Sequence, residues 1–335
     1  MPSRLSILLT ATVLLGSVSC SRKNAAKAGD YNLVVGIGLV GGLCNAPLYV
    51  ALEKGYFEAE GLRYTQYKVD TNQSIPLLTT GKIDVTGNLL ATLIQPLANG
   101  LEVKIPLGIH TGCVKVLVPV GSSIKTLADL RGKKIGTTGM AASPTVIAQR
   151  ALASIGVGVT AEKPEVEWQI FASSDLPLAM EKGSVDAIAL NDPTAAIIEN
   201  EGKGRVILNS ATDPGLRDEF CCVVVARNET VAKHPEAVAK YCRALQRAAK
   251  FVQEHPEESA KLIVDKKYIA GDAAVNGAIL KTYDYRASVS QARVAITRNT
   301  LDLQRIGLVK KDVDAQALTN ATFIALAGVP DTLYK

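Results

Sequence analysis

The sequence is short of several residue types, and each shortage closes off a class of explanation. Aromatic residues make up 5% of the 335, with Trp168 the single tryptophan, so a site built by stacking rings on sugars or bases has little to draw on. There are three histidines; His234 and His255 each precede a proline that opens a helical segment, which leaves acid–base chemistry few players. No Ser–His–Asp signature, His-Glu-x-x-His helix or phosphate-cradling Walker loop occurs, and no enzymatic activity and no cofactor are expected. Basic residues never run to five in a row and the net charge is a modest +5, so nucleic acid is not an expected partner. Beyond the N-terminus no stretch is long and apolar enough to span a bilayer.

What is present begins with a secretory pattern. Arg4 is followed by an apolar run, Leu5 to Val18, too short for a membrane span, then by small residues and Cys20. A signal ending on a cysteine resembles a bacterial lipobox, which implies that Cys20 is lipidated and anchors the chain to a membrane. Residues 1–20 are the expected signal and 21–30 a polar tether. Without Cys20 the cysteines are Cys44, Cys113, Cys221, Cys222 and Cys242. Five is odd, so at least one thiol stays free and the chain is no disulfide scaffold.

The remaining length suggests two compact units. Short β-branched runs alternate with helical patterns, which argues for an α/β fold with mainly parallel sheets. Strands are expected at Leu33–Gly38, Arg63–Val69, Asp84–Gly87, Lys134–Gly136, Val166–Phe171, Ala187–Leu190, Val206–Leu208 and Phe220–Ala226, and Val103–Val118 reads as one long extended stretch. Helices are expected at Pro47–Phe57, Ser74–Thr80, Leu90–Ala98, Ser143–Ile155, Asp175–Glu181 and Pro193–Glu201, and the chain turns helical from Pro235 onward. Two segments echo one another. Ile75-Pro76-Leu77 leads to Gly81-Lys82-Ile83-Asp84, and Leu176-Pro177-Leu178 leads to Gly183-Ser184-Val185-Asp186. Each is a helix entered near Pro, closed by Gly and followed by Asp at the mouth of a strand, which suits duplicated halves around a cleft.

Five segments in order carry a resemblance. They are Ala46-Pro47-Leu48-Tyr49-Val50-Ala51 running into Glu53-Lys54-Gly55-Tyr56-Phe57-Glu58, the two Gly-to-Asp turns above, Leu127 to Gly136, and His234-Pro235-Glu236-Ala237-Val238. Together they resemble the periplasmic solute-binding proteins of the nitrate, sulfonate, taurine and bicarbonate importers, with their thiamine-precursor relatives. The resemblance implies a two-lobe periplasmic binding protein type II fold, with C-terminal helices on lobe 1. Lobe 1 is expected at 31–119 and 223–335, lobe 2 at 120–222, with crossovers near Val116–Val120 and Asp218–Val224. It also implies a monomer that captures a small polar ligand by hinge closure and hands it to an ABC permease with its ATPase. A sensor for a signalling partner and a pyrimidine-synthase-like enzyme are the rival readings; an export signal does not suit the latter.

Ligands of such sheets sit beyond the strands' C-terminal ends. Candidate contacts are therefore Cys44 and Asn45 on the first loop, Asn72, Gln73 and Ser74 at the next helix start, and Asn88 after the third strand. In lobe 2 they are Gly139, Met140, Ala141 and Ser143, and Asp192 before Pro193. Helix capping alone also explains Asn72 and Ser74, and a turn alone explains Asp192. If Asp192 faces the ligand, it favours an amine-bearing or neutral solute over a simple oxyanion. His110, Thr111 and Cys113 lie near the first crossover, and Cys221-Cys222 near the second. With Cys44 they can form a thiol–imidazole cluster suited to a soft metal, a sulfur or arsenic compound or a labile disulfide. Equally they can be small buried residues, because free cysteine packs as a hydrophobe. No metal site is assigned from the sequence.

Overall fold

A computed structural model describes residues 31–38, 42–69 and 73–334. The signal, Cys20, the tether and Asn72 lie outside the described residues. Twelve strands are described: β1 Asn32–Gly38, β2 Arg63–Val69, β3 Val85–Leu89, β4 Val103–Thr111, β5 Val114–Pro119, β6 Lys134–Thr137, β7 Val159–Thr160, β8 Lys163–Pro164, β9 Glu167–Ile170, β10 Ala187–Asn191, β11 Gly204–Asn209 and β12 Phe220–Arg227. Apart from the β7–β8 pair they form two five-stranded sheets, ordered β2-β1-β3-β12-β4 and β11-β5-β10-β6-β9. Read from the opposite edge, the second sheet repeats the first. Three parallel strands come first, then one antiparallel strand (β12 or β5), then an edge strand that is antiparallel to it.

The repeated Gly-to-Asp turns do the same work in both sheets. Asp84 N–H donates to the Val34 carbonyl and its carboxylate accepts from Val34 N–H, both at 2.8 Å. Asp186 makes the same pair with Lys134, again at 2.8 Å. Each aspartate thus docks the incoming strand onto its neighbour in one register. Gly36 of β1 and Gly136 of β6 are a matching pair too. A Cβ on Gly36 would stand 2.7 Å from Ile83 Cδ1, and one on Gly136 2.7 Å from Leu176 Cδ2. Both strands therefore need a bare backbone for the following helix–turn to close on them.

The long extended stretch expected at 103–118 is two strands in different sheets. The chain leaves the first sheet at Gly112-Cys113, since β4 pairs β12 while β5 pairs β10 and β11. It returns between Asn209 and Phe220. The expected crossover segments 116–120 and 218–224 thus fall largely within β5 and β12 instead. Gly112 and Cys113 both have positive φ, 85° and 100°, and this reversal breaks the run of β-branched residues.

The C-terminal helices cover the first sheet. Pro235–Glu254 starts on a proline, whose missing N–H costs nothing there. It buries Val238, Tyr241, Cys242, Leu245, Ala249 and Val252 at helical spacing while Lys and Glu face out. Tyr241 stacks on Phe57 with centroids 5.3 Å apart. Burying such side chains stabilises by roughly 1.5–3 kcal/mol each. The helix Val289–Arg305 reaches further and meets the second sheet's helix Ser143–Ser154 at a buried ion cluster. There the Arg150 guanidinium donates to both Glu219 oxygens at 2.7 Å, to Asp302 Oδ2 at 2.6 Å and to Asn299 Oδ1 at 2.8 Å. Burial opposes the guanidinium's charge, but the Glu219 and Asp302 carboxylates outweigh it and hold the arginine charged. No described helix is long and apolar enough to cross a membrane.

Candidate functional site

The strand ends of both sheets meet at two adjoining cavities. The first, about 200 Å³, is lined by Gly42, Cys44, Asn45, Gly87, Asn88, Leu89, Ile109, Asn191, Asp192 and Cys222. The second, about 640 Å³, runs from Ser74, Ile75 and Thr92 across to Thr138–Pro144. Asn88, Leu89 and Asn191 border both. Asn88 is the last but one residue of β3 and Asn191 the last of β10, the corresponding strand of the other sheet, so two matching strands each present an amide near their C-terminal ends. A separate cavity of about 320 Å³ lies beside Arg150 and Asp302, which pair with each other at 2.6 Å.

The side chains at this cleft are held by neighbours. Asn88 accepts from Leu89 N–H at 2.7 Å and donates to Ser74 Oγ at 3.1 Å. Thr145 donates to the Gly139 carbonyl at 2.6 Å and fixes the loop that carries Met140 and Ala141. Ser143, at the start of its helix, is buried at the cavity wall with no hydrogen-bond partner for its hydroxyl. An unpaired buried hydroxyl costs about 1–3 kcal/mol, which a ligand acceptor or donor removes.

Asp192 departs from its expected use. It lines the first cavity but is buried, and both oxygens are committed within the protein. Oδ1 accepts from Ala196 N–H at 2.9 Å and faces Lys115 Nζ at 3.7 Å; Oδ2 accepts from the Tyr283 hydroxyl at 3.1 Å. Burial raises its pKa, and the Lys115 charge opposes that. A carboxylate so occupied has less to offer a ligand amine, and Asp192 weighs less for an amine-bearing solute than its place in the sequence implies. Among the described residues lining the two cavities Asp192 carries the only charge.

Of the other expected contacts, Cys44, Asn45, Ser74, Asn88, Gly139, Met140, Ala141 and Ser143 do line the cleft. Gln73 is exposed and touches neither cavity, because its backbone serves as the cap of the helix Ser74–Thr79. Thr111 instead borders a separate cavity with Asp284 and Ser288. His110 and Cys113 lie in the layer behind the cleft wall. Asn191 is not among the contacts expected from sequence, and Cys222 is expected there only as part of the thiol cluster, although Asn191 ends a strand that matches the one carrying Asn88.

Behind the wall the thiols converge. Cys113 Sγ is 2.9 Å from Cys221 Sγ, and Cys44, Cys113 and Cys222 lie within mutual hydrogen-bonding reach. Irregular register between β12 and β4 around Cys222 lets successive residues, Cys221 and Cys222, both reach Cys113. Contact with the Cys113 thiol, then with Cys222, lowers the Cys221 pKa, while the same contacts raise that of Cys222. His110 is buried, with Nδ1 3.0 Å from the Thr111 carbonyl and Nε2 without a partner. Its ring stacks on Tyr283 and tilts against Tyr285, whose hydroxyl donates to the Leu43 carbonyl at 2.8 Å and ties down the turn bearing Cys44.

Comparison with known proteins agrees with this geometry. The alkanesulfonate-binding protein of Xanthomonas axonopodis pv. citri bound to MOPS superposes with a TM-score of 0.67 at 20% identity, covering 88% of this chain and 98% of that one. The periplasmic nitrate-binding protein of Synechocystis PCC 6803 gives 0.70 at 14% identity, covering 87% and 86%. The fold is accordingly that of the periplasmic binding proteins. A putative aliphatic sulfonates-binding protein of Bacillus subtilis (strain 168) is 24% identical over 336 residues, 96% of each chain. Residues 45–259 match the family described as NMT1/THI5 like, more than half of the chain, and the protein belongs to that family.

Proposed function

We propose that this protein is an exported solute-binding lipoprotein of an ABC importer, anchored through Cys20. It captures a small polar solute of the sulfonate, taurine or nitrate class between its lobes and delivers it to a permease with its ATPase. The observation that carries the reading is the pair Asn88 and Asn191, set near the C-terminal ends of matching strands of the two sheets and bordering the same cavities. Sulfonate- and nitrate-binding proteins of the same fold support the solute class. With no free cation among the described lining residues, an anionic head group is met by amide, hydroxyl and backbone N–H dipoles at the start of the helix Ser143–Ser154. Closure follows from the two crossovers, at Gly112-Cys113 and between Asn209 and Phe220, about which the lobes can hinge.

Calorimetry of the tether-free protein against small sulfonates, taurine, nitrate and neutral polyols tests this. One class should bind, and Asn191→Ala should weaken it up to about tenfold, the worth of one neutral hydrogen bond. Scattering should show a smaller radius of gyration with the solute bound. Binding indifferent to both Asn88→Ala and Asn191→Ala would place the solute elsewhere. Detergent partitioning that survives Cys20→Ala would remove the anchor.

A further inference from the structure

We infer that Cys44, Cys222 and His110 form a binding site for a thiophilic divalent cation, Zn²⁺, at the back of the solute cleft. One ligand atom from each of the three lies within 4.8 Å of the other two. Zn–S bonds of about 2.3 Å and Zn–N bonds of about 2.0 Å place tetrahedral ligand atoms roughly 3.5–3.8 Å apart. Side-chain shifts of about half an ångström each therefore close the site around a metal.

The histidine is the second, independent sign. A carbonyl can only accept, so Nδ1, 3.0 Å from the Thr111 oxygen, carries the proton and Nε2 keeps its lone pair. That lone pair is buried and meets no protein donor. A core histidine serving only to pack has no reason to leave its acceptor unpaired, whereas a metal ligand needs it so. The outer partners also fit: a backbone carbonyl fixes the tautomer, Tyr283 and Tyr285 clamp the ring, and Tyr285 tethers the Cys44 turn. All three ligands come from elements of the first lobe, so the site does not wait for closure.

Charge selects the valence. Binding displaces one proton from each of two thiols, and Zn²⁺ with two thiolates and a neutral imidazole is uncharged, as a buried position favours. Cys44 and Cys222 both border the 200 Å³ cavity, so the fourth coordination position opens toward Asn88 and Asn191 and can take a solute oxygen or sulfur atom. This last step rests on the cleft reading; metal binding does not.

The test uses the full chain, reduced and stripped of metal, titrated with Zn²⁺ against a chromophoric chelator. One zinc per chain should bind. Cys44→Ser and His110→Gln should each weaken it at least tenfold, and Cys242→Ser, on the helix Pro235–Glu254 and outside the Cys44–His110–Cys222 group, should leave it unchanged. Co²⁺ in place of zinc should give a sulfur-to-cobalt charge-transfer band that falls in Cys44→Ser. If His110→Gln does not fold, Cys44→Ser on its half-buried turn suffices. No stoichiometric zinc, or zinc affinity indifferent to both ligand substitutions, overturns the site. Equal solute affinity with and without zinc overturns the open fourth position, while a solute screen that fails on metal-free and zinc-loaded protein alike counts against the cleft reading.

Discussion

The two lobes solve the same folding problem with the same local chemistry and then weight it differently. Both have a Gly-to-Asp turn, an aspartate that pairs reciprocally with the first strand, and a glycine under the turn. In the first lobe the C-terminal helices return over the sheet and bury the turn. Asp84 then also accepts from Tyr31 at 2.9 Å and Thr230 at 2.6 Å, and is 3% exposed. In the second lobe no described helix returns over the turn, and Asp186 stays half-buried with a backbone donor, Lys134 N–H. A motif's energetic weight thus follows what is later packed on it. The thiol cluster obeys the same asymmetry: its candidate ligands all belong to the covered lobe.

The largest effect is expected where the lobes are joined. Arg150→Leu leaves the Glu219 carboxylate buried with Arg298 at 3.3 Å as its remaining close cation, and Asp302 paired to Arg305. Breaking such a buried pair costs about 3–5 kcal/mol. Urea unfolding should show that loss; a loss below 1 kcal/mol would mean that the lobes are held by other contacts.

The aspartate comparison comes next. Asp84→Asn turns an N–H₂ toward donors that already point at it, and should cost about 1.5–3 kcal/mol. Asp186→Asn should cost about 0.5–1.5 kcal/mol, because solvent can replace its backbone donor. Equal losses in denaturant melts would refute the idea that the returning helices set the difference.

The smallest effect concerns Asp192, which has no acidic counterpart at the end of β3. Its folded pKa is raised, chiefly by burial, so between the unfolded and folded values the native state binds more protons than the unfolded chain. Stability from this group is thus present at low pH and falls as pH rises through that window. Asp192→Asn should flatten that part of the stability–pH curve, measured by thermal melting from acid to neutral pH. An unchanged slope would show that the Lys115 charge offsets burial in full.

Much of this was legible in the chain. The β-branched runs at Leu33–Gly38 and Lys134–Gly136, the Pro-led helices at Ser143 and Pro235 and the twin Asp turns rest on local periodicity, capping and turn chemistry, which neighbouring residues decide by themselves. So does the placing of Asn88 near one strand end and of the Gly139 loop just past another. The break at Gly112-Cys113 was not legible, because a run of β-branched residues is compatible with either sheet until β12 and β10 compete for it. Asp192 is a candidate contact in sequence because it lies just past a strand's C-terminal end; Tyr283, ninety-one residues later, is what occupies it. The convergence of Cys44, His110 and Cys222 lies furthest from the sequence. Alternation along one strand points neighbours to opposite faces, and only the irregular pairing of β12 with β4 and the tether from Tyr285 bring three distant segments to one point. Local chemistry therefore determined the elements and the family, while long-range pairing and burial decided which polar groups remain free to act.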